Sequence, residues 1–132
     1  MIKIPENIYE AIIKHAQSKA PIEACGYLAG INGEVKAIYE MTNADNSEEH
    51  FSFDPEEQFA ALKSAGKAGL RLIACYHSHP ATPARPSQED IRLAYDPNIS
   101  YIIVSLAQDK PVLKSFKIKN KEAANEEVEV LS

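Results

Sequence analysis

The sequence is poor in three features that define large classes of proteins: cysteine, basic charge and long apolar runs. Its two cysteines cannot build the multiple disulfides of a small secreted domain. Its 14 Lys and Arg are outnumbered by 19 Asp and Glu, which argues against nucleic acid as the main partner because phosphate binding requires clustered cations. No stretch approaches the ~20 apolar residues of a membrane span, so we predict no membrane partner.

The N-terminal residues Met1–Pro5 also lack the basic block and following apolar block of a signal peptide. We therefore expect a cytoplasmic protein. Its 132 residues, of which 45% are hydrophobic, suffice for one core, and we expect a single domain over residues 1–132. Cys25 and Cys75 lie in apolar stretches and are expected to be buried small hydrophobes, with a redox-sensitive pair as the alternative.

The start of the chain predicts a helix followed by a β-hairpin. Pro5 fits the first position of a helix, apolar residues then recur at helical spacing, and Pro21 ends the segment. Two strand-like segments, 25–31 and 34–41, follow. They are joined by Asn32-Gly33, a dipeptide that favours the tight turn of a hairpin because both positions adopt positive φ readily.

The middle of the chain predicts a loop, a short strand, a second helix and a central strand. Residues 42–50 are polar and irregular, and residues 51–53 alternate like a short strand. Asp54-Pro55 is a typical helix start, with a capping side chain before a proline, and Gly69 suits the end of that helix. The apolar run 70–76 is typical of a buried central strand.

The last third predicts a short helix over 87–95, a hairpin formed by 100–107 and 112–118, and a late strand near Val128 and Val130. Helices and strands interleave in this order along the chain. We therefore predict an α/β fold in which a mixed sheet is flanked by helices.

The most informative segment begins at the end of the predicted central strand, with His77-Ser78-His79. Residues two apart in an extended chain project to the same face, roughly 6.5 Å apart at the backbone, so both imidazoles can lean onto one ion. A proline-rich loop then reverses the chain towards Asp90, whose carboxylate is a common third ligand for zinc. Three protein ligands leave a fourth position for water, which is the catalytic rather than the structural arrangement.

Zinc hydrolases also need a general base and a donor for the developing oxyanion. Glu23 is a candidate base because it immediately precedes the apolar strand 25–31, although composition alone does not identify it. Ser87 carries a hydroxyl that suits the donor. Taken singly, Glu23 reads as a solvated charge and Ser87-x-x-Asp90 as a helix cap. Their occurrence together with His77-x-His79 favours a catalytic metal site.

These residues resemble the signature of the JAMM (MPN+) metallopeptidases. That signature has an upstream Glu, then His-x-His, seven residues, Ser, two residues and Asp. In this chain the pattern is filled by Glu23, His77, His79, Ser87 and Asp90. The segment 21–30 also resembles the family's Glu-bearing first strand, and Asp54-Pro55 before a helix matches small bacterial members.

The resemblance implies that His77, His79 and Asp90 hold one Zn2+ with a water as fourth ligand. It implies that Glu23 is the general base and acid and that Ser87 is the oxyanion donor. The family fold is similar to that of the cytidine deaminases, a mixed, curved, mostly antiparallel sheet with helices on both sides. The implied reaction is hydrolysis after the C-terminal glycine of a ubiquitin-like protein, and the short bacterial members favour a sulfur-carrier protein as the partner.

There are three alternatives to this function. A non-catalytic MPN-type binding or scaffold module is the main alternative, and it predicts a folded protein without stoichiometric zinc. A zinc nucleobase deaminase requires His-x-Glu and Pro-Cys-x-x-Cys, neither of which occurs here. The DNA-repair-associated branch of the family is disfavoured by the net charge of −5. The sequence leaves the oligomeric state unknown.

Overall fold

Eight strands form one mixed sheet with three helices packed against it, as a computed structural model of residues 1–132 shows. The helices are α1 (Glu6–Lys19), α2 (Pro55–Lys67) and α3 (Gln88–Arg92). The strands are β1 (Ile2–Pro5), β2 (Cys25–Ile31), β3 (Glu34–Met41), β4 (Arg71–His79), β5 (Ser100–Ser105), β6 (Val112–Lys119), β7 (Glu122–Glu126) and β8 (Val128–Leu131). No helix combines the length and apolar character needed to traverse a bilayer.

The strand order is β7-β6-β5-β4-β2-β3-β1-β8, and four of the seven pairings are antiparallel. Strands β7 and β8 lie at opposite edges of this order, yet only Glu127 separates them in the chain. Because consecutive Cα atoms are about 3.8 Å apart, the sheet must curve until its two edges approach. The predicted mixed, curved sheet is therefore confirmed.

Two local signals in the sequence act as expected. Asn32 and Gly33 adopt positive φ values of 52° and 78° in the turn between β2 and β3. The Asp54 carboxylate accepts the Glu56 N–H at 2.9 Å and caps α2, with Pro55 at its first position. Both features are encoded within a few residues, which is why they are readable from sequence.

The structure differs from the predicted elements at four places. Strands β1 and β7 were not predicted. Strand β1 depends on pairing with the distant strands β3 and β8, whereas β7 pairs with the neighbouring strand β6 but its sequence lacks the β-branched and aromatic residues typical of strands. Residues 51–53 do not form a strand, since only an isolated bridge joins Asn43 and Phe53. Helix α3 ends at Arg92 instead of Tyr95.

The two faces of the sheet are covered by different helices. On one face, α1 packs Ile8, Ile12 and Ala16 into the largest apolar core, against residues that include Tyr76. On the other face, α2 and α3 cover two smaller clusters. Because side chains alternate along a strand, β4 turns Tyr76 towards α1 and His77 towards α2 and α3. The two imidazoles therefore lie on the face covered by α2 and α3.

Candidate active site

The end of β4 carries two imidazoles on one face of the sheet. His77 and His79 are each 5% exposed and are separated by Ser78, whose side chain alternates to the other face. Their Nε2 atoms lie 3.1 Å apart. The His-x-His spacing thus brings two potential ligand atoms to one point at the end of a central strand.

Asp90 reaches the same point from α3. Its Oδ2 lies 3.2 Å from His77 Nε2 and 3.1 Å from His79 Nε2. Ser87 is the N-cap of α3: its Oγ accepts the Asp90 N–H at 3.0 Å, and its own N–H donates to Asp90 Oδ2 at 2.9 Å. This reciprocal capping box orients the carboxylate towards the imidazoles. Ser87 and Asp90 can therefore cap α3 while the Asp90 carboxylate faces the two imidazoles.

The donor geometry fits a tetrahedral metal ion. The three facing atoms of His77, His79 and Asp90 form a nearly equilateral triangle. A tetrahedral zinc with bonds of about 2.0–2.1 Å holds its ligand atoms about 3.3 Å apart, close to the spacing seen here. The His79 Nδ1–H donates to the Pro83 carbonyl at 2.9 Å, which leaves the Nε2 lone pair facing the cluster.

The electrostatics of the cluster favour a cation. Burial acts to raise the pKa of Asp90, but hydrogen bonds from His77 and His79 outweigh it and hold that pKa well below its ordinary value. Burial acts to lower the pKa of His79, but the Asp90 carboxylate and the Pro83 carbonyl together raise it above its ordinary value. The carboxylate therefore stays ionised, and the neighbouring ring lies in a field that attracts positive charge.

Glu23 lies near this cluster, two residues before the adjacent strand β2. Cys25 pairs with His77 across the antiparallel β2–β4 ladder, and the Ser78 N–H donates to the Ala24 carbonyl at 3.0 Å. Glu23 therefore falls opposite the last residue of β4. Since residues two apart share a face, its side chain is on the same side of the sheet as the imidazoles.

The Glu23 carboxyl is only 4% exposed. Burial raises its pKa to about 8, with the charge of His79 lowering the pKa and that of Asp90 raising it. A carboxyl that gains and loses a proton near neutral pH is suited to general acid–base catalysis. A cation held by the neighbouring cluster would favour the ionised form and lower this pKa.

A loop over residues 42–53 packs against the cluster in a way that the sequence did not reveal. The Phe51 ring stacks on the His77 imidazole with a centroid distance of 4.6 Å and an interplanar angle of 25°. Asn43 is 9% exposed and donates its Nδ2 to the Glu23 carbonyl at 3.0 Å. A buried asparagine in a polar loop has no local signature, so sequence reasoning missed its contact with Glu23.

An apolar groove of about 760 Å³ runs from the cluster between α2 and α3. His77 and Asp90 form part of its wall. Its lining also includes Tyr27, Leu72 and Tyr101. The groove is large enough to hold several residues of an extended peptide beside the ligand atoms.

A family model described as prokaryotic homologs of the JAB domain matches residues 5–119. The chain belongs to this family. The predicted family membership is thereby confirmed, and with it the assignment of the mixed sheet to the JAB/MPN fold.

Relatives of this JAB domain include named peptidases. It is 33% identical to the CysO-cysteine peptidase of Mycobacterium tuberculosis over 134 residues, which cover 99% of this chain and 92% of the relative. It is 36% identical to the desampylase of Pyrococcus furiosus over 88 residues, or 67% of this chain and 62% of the relative.

A solution structure of a Desulfitobacterium hafniense protein is similar with a TM-score of 0.90 and 46% identity, covering 99% and 93% of the two chains. The family match and the relatives named as peptidases identify the JAB domain as a peptidase. The predicted enzyme class is confirmed and is favoured over the scaffold alternative.

The two cysteines of this JAB domain are free and buried, as expected. Burial raises the pKa of Cys25 to about 12 and that of Cys75 to about 12. Both thiols therefore stay protonated near neutral pH, which makes them poor nucleophiles and poor metal ligands. The candidate reacting groups of the site are therefore the imidazoles, carboxyls and hydroxyl described above.

Proposed function

We propose that this JAB domain is a zinc-dependent peptidase that hydrolyses the bond after the C-terminal glycine of a ubiquitin-like protein, with a bacterial sulfur-carrier protein as the substrate. The observation that carries the proposal is the meeting of three ligand atoms next to a buried glutamate. The relative named CysO-cysteine peptidase supports a peptide bond to cysteine as one candidate linkage.

His77, His79 and Asp90 would hold the zinc ion, with a water as the fourth ligand. The ion would supply Lewis-acid polarisation of the scissile carbonyl and would lower the pKa of a water molecule towards about 7. The capping box from Ser87 and the Pro83 carbonyl keep two of the three ligand side chains oriented for this task.

Glu23 would take a proton from the attacking water and then deliver it to the leaving amine. One carboxyl can perform both steps only if its pKa lies near the working pH. Burial supplies that condition here, because it raises the pKa of Glu23 to about 8 before a cation lowers it again. The position of Glu23 opposite the last residue of β4 places it beside the ligand atoms.

Ser87 would donate its hydroxyl proton to the carbonyl oxygen as negative charge develops there. The side chain is accessible to a substrate, because Ser87 is exposed at the start of α3. Its Oγ already accepts the Asp90 N–H, so the hydroxyl proton stays available for a second partner. A donor held in place before the reaction stabilises the transition state without reorganisation.

The C-terminal tail of the carrier would lie extended in the apolar groove. The groove is lined in part by His77 and Asp90, so a tail held in it would lie beside the ligand atoms. An apolar lining excludes water and strengthens the electrostatic interactions at the reacting carbonyl.

The test is a cleavage assay on a panel of sulfur-carrier proteins that carry a C-terminal extension after Gly-Gly. We expect at least one carrier to lose its extension in a reaction that a chelator stops and Zn2+ restores. Glu23→Gln should keep stoichiometric zinc and lose about 10²–10⁴-fold in rate. Glu10→Gln, an exposed site on α1, is the matched control. Absence of any chelator-sensitive cut refutes the substrate class, and a wild-type rate for Glu23→Gln removes Glu23 as the base.

A further inference from the structure

The peptide group that joins Glu23 to Ala24 is held at both ends by side chains. Its carbonyl accepts the Asn43 Nδ2–H at 3.0 Å, and its N–H donates to Ser78 Oγ at 2.7 Å. The two partners come from different elements, the 42–53 loop and β4. All four residues are at most 9% exposed, so water does not compete for these hydrogen bonds.

These side-chain hydrogen bonds lie just beyond the end of the regular main-chain pairing between β2 and β4. The β2–β4 pairing ends at Cys25 and His77. Beyond it the Ser78 N–H still donates to the Ala24 carbonyl, but the Ala24 N–H bonds to the Ser78 hydroxyl rather than to the Ser78 carbonyl. A regular antiparallel pair would exchange both main-chain bonds. The backbone at Glu23 is therefore oriented by side chains and not by the sheet alone.

We propose that Asn43 and Ser78 are positioning residues that aim the Glu23 carboxylate at the metal cluster. The proposal rests on the proposed role of Glu23 as the base. Rotation of the 23–24 peptide plane changes the direction of the Glu23 Cα–Cβ bond, and a misplacement of about 1 Å at a reacting group costs about 100-fold in rate. Clamping both ends of this plane prevents that rotation.

Asn43 links this clamp to the rest of the site. Its Nδ2 also donates to the His50 carbonyl at 3.0 Å, and its Oδ1 accepts the Asp45 N–H at 3.0 Å. The residue after His50 is Phe51, which stacks on His77. One buried amide therefore holds both the Glu23 backbone and the loop that covers a predicted ligand.

The clamp is tested first without any substrate, by hydrogen exchange of the Ala24 amide followed by NMR. We expect Ser78→Ala to speed this exchange at least about 10-fold, because the amide loses its acceptor. Ser78→Thr keeps the hydroxyl and should restore protection. Ser115→Ala is the matched control, since Ser115 is a buried, hydrogen-bonded serine on β6. Unchanged protection of Ala24 in Ser78→Ala overturns the proposal.

The consequence for catalysis is tested with Ser78→Ala and Asn43→Asp. Asn43→Asp replaces the Nδ2 donor, which faces the Glu23 and His50 carbonyls, by an acceptor. The control is Asn46→Asp, which makes the same change of charge in the same loop. We expect full zinc content, a KM within about 2-fold of wild type and a kcat about 10–100-fold lower.

In the Glu23→Gln background the same substitutions should cause no further loss, because no base remains to be misplaced. A further loss there, or a loss of zinc in either single variant, means that these residues act on the metal or the substrate and overturns the proposal. If the wild-type protein cleaves no carrier, the proposed function fails, whereas the exchange measurement still decides whether the clamp exists.

Discussion

Replacing Glu23 with Gln should stabilise the metal-free protein, and the gain should grow with pH. Glu23 is 4% exposed, and burial raises its pKa from an ordinary value of 4.5 to about 8. Between these values the native carboxyl keeps a proton that the unfolded chain releases. Because the native state then binds more protons, wild-type stability falls as pH rises through this window. Gln has no proton to lose and escapes this penalty.

The size of the effect follows from the two pKa values. Each unit of pKa difference corresponds to about 1.36 kcal/mol, so the penalty approaches about 5 kcal/mol well above pH 8. At pH 5, only slightly above the ordinary pKa of 4.5, the native carboxyl is protonated and the unfolded carboxyl is about three-quarters ionised, so the penalty is below about 1 kcal/mol. The advantage of Glu23→Gln over wild type should therefore grow by about 3.5 kcal/mol between pH 5 and pH 8.

The measurement is urea unfolding of EDTA-treated wild type and variant at several pH values. Titrations elsewhere in the protein are common to both chains and cancel in the difference of unfolding free energies. Glu10→Gln, at an exposed position on α1, should show no such pH dependence. Zinc should reduce the advantage of Glu23→Gln, because a nearby cation favours the ionised carboxylate. A difference that stays constant from pH 5 to pH 8 would show that the Glu23 carboxyl is solvated in the native state.

Three further substitutions probe other parts of the structure. Asp90→Ala removes a predicted ligand and the acceptor of a capping box, and zinc titration against a chromophoric chelator should show an affinity at least about 100-fold lower. Tyr76→Phe deletes the 2.7 Å hydrogen bond to His15 Nδ1 and should cost about 1–3 kcal/mol in urea unfolding without changing zinc content. Gly26→Ala places a Cβ in the Tyr76 ring and should cost about 1–3 kcal/mol, and wild-type stability would contradict this packing.

The helices and hairpins were largely readable from sequence because their signals are local. Asn32-Gly33 specifies its turn through backbone preference, and Asp54-Pro55 specifies a helix start through a cap two residues away. Strands β1 and β7 lack such signals. β1 pairs with β3 and β8, far away in sequence, and it is only four residues long. Pairing of this kind is decided by the assembled sheet.

The candidate site could be predicted only in part from the sequence, again because only some of its residues are close together in the chain. His77, His79, Ser87 and Asp90 lie within one short segment, so spacing alone predicts that they meet. Glu23 is remote from them in sequence: its place before the apolar strand 25–31 makes it only a candidate, and the resemblance to a family pattern supplies its role. Asn43 and Phe51 contact the site from a polar loop whose sequence resembles that of any solvated loop.

By itself, then, the sequence determined which donor atoms are available and that a strand, a proline-rich turn and a capped helix carry them to one place. Only the tertiary structure decided that Glu23 is buried within reach of the charge of His79, that its pKa is raised to about 8, and that Asn43 and Ser78 hold its backbone. Burial and desolvation are properties of the contacts between distant segments, and no spacing along a single chain encodes them.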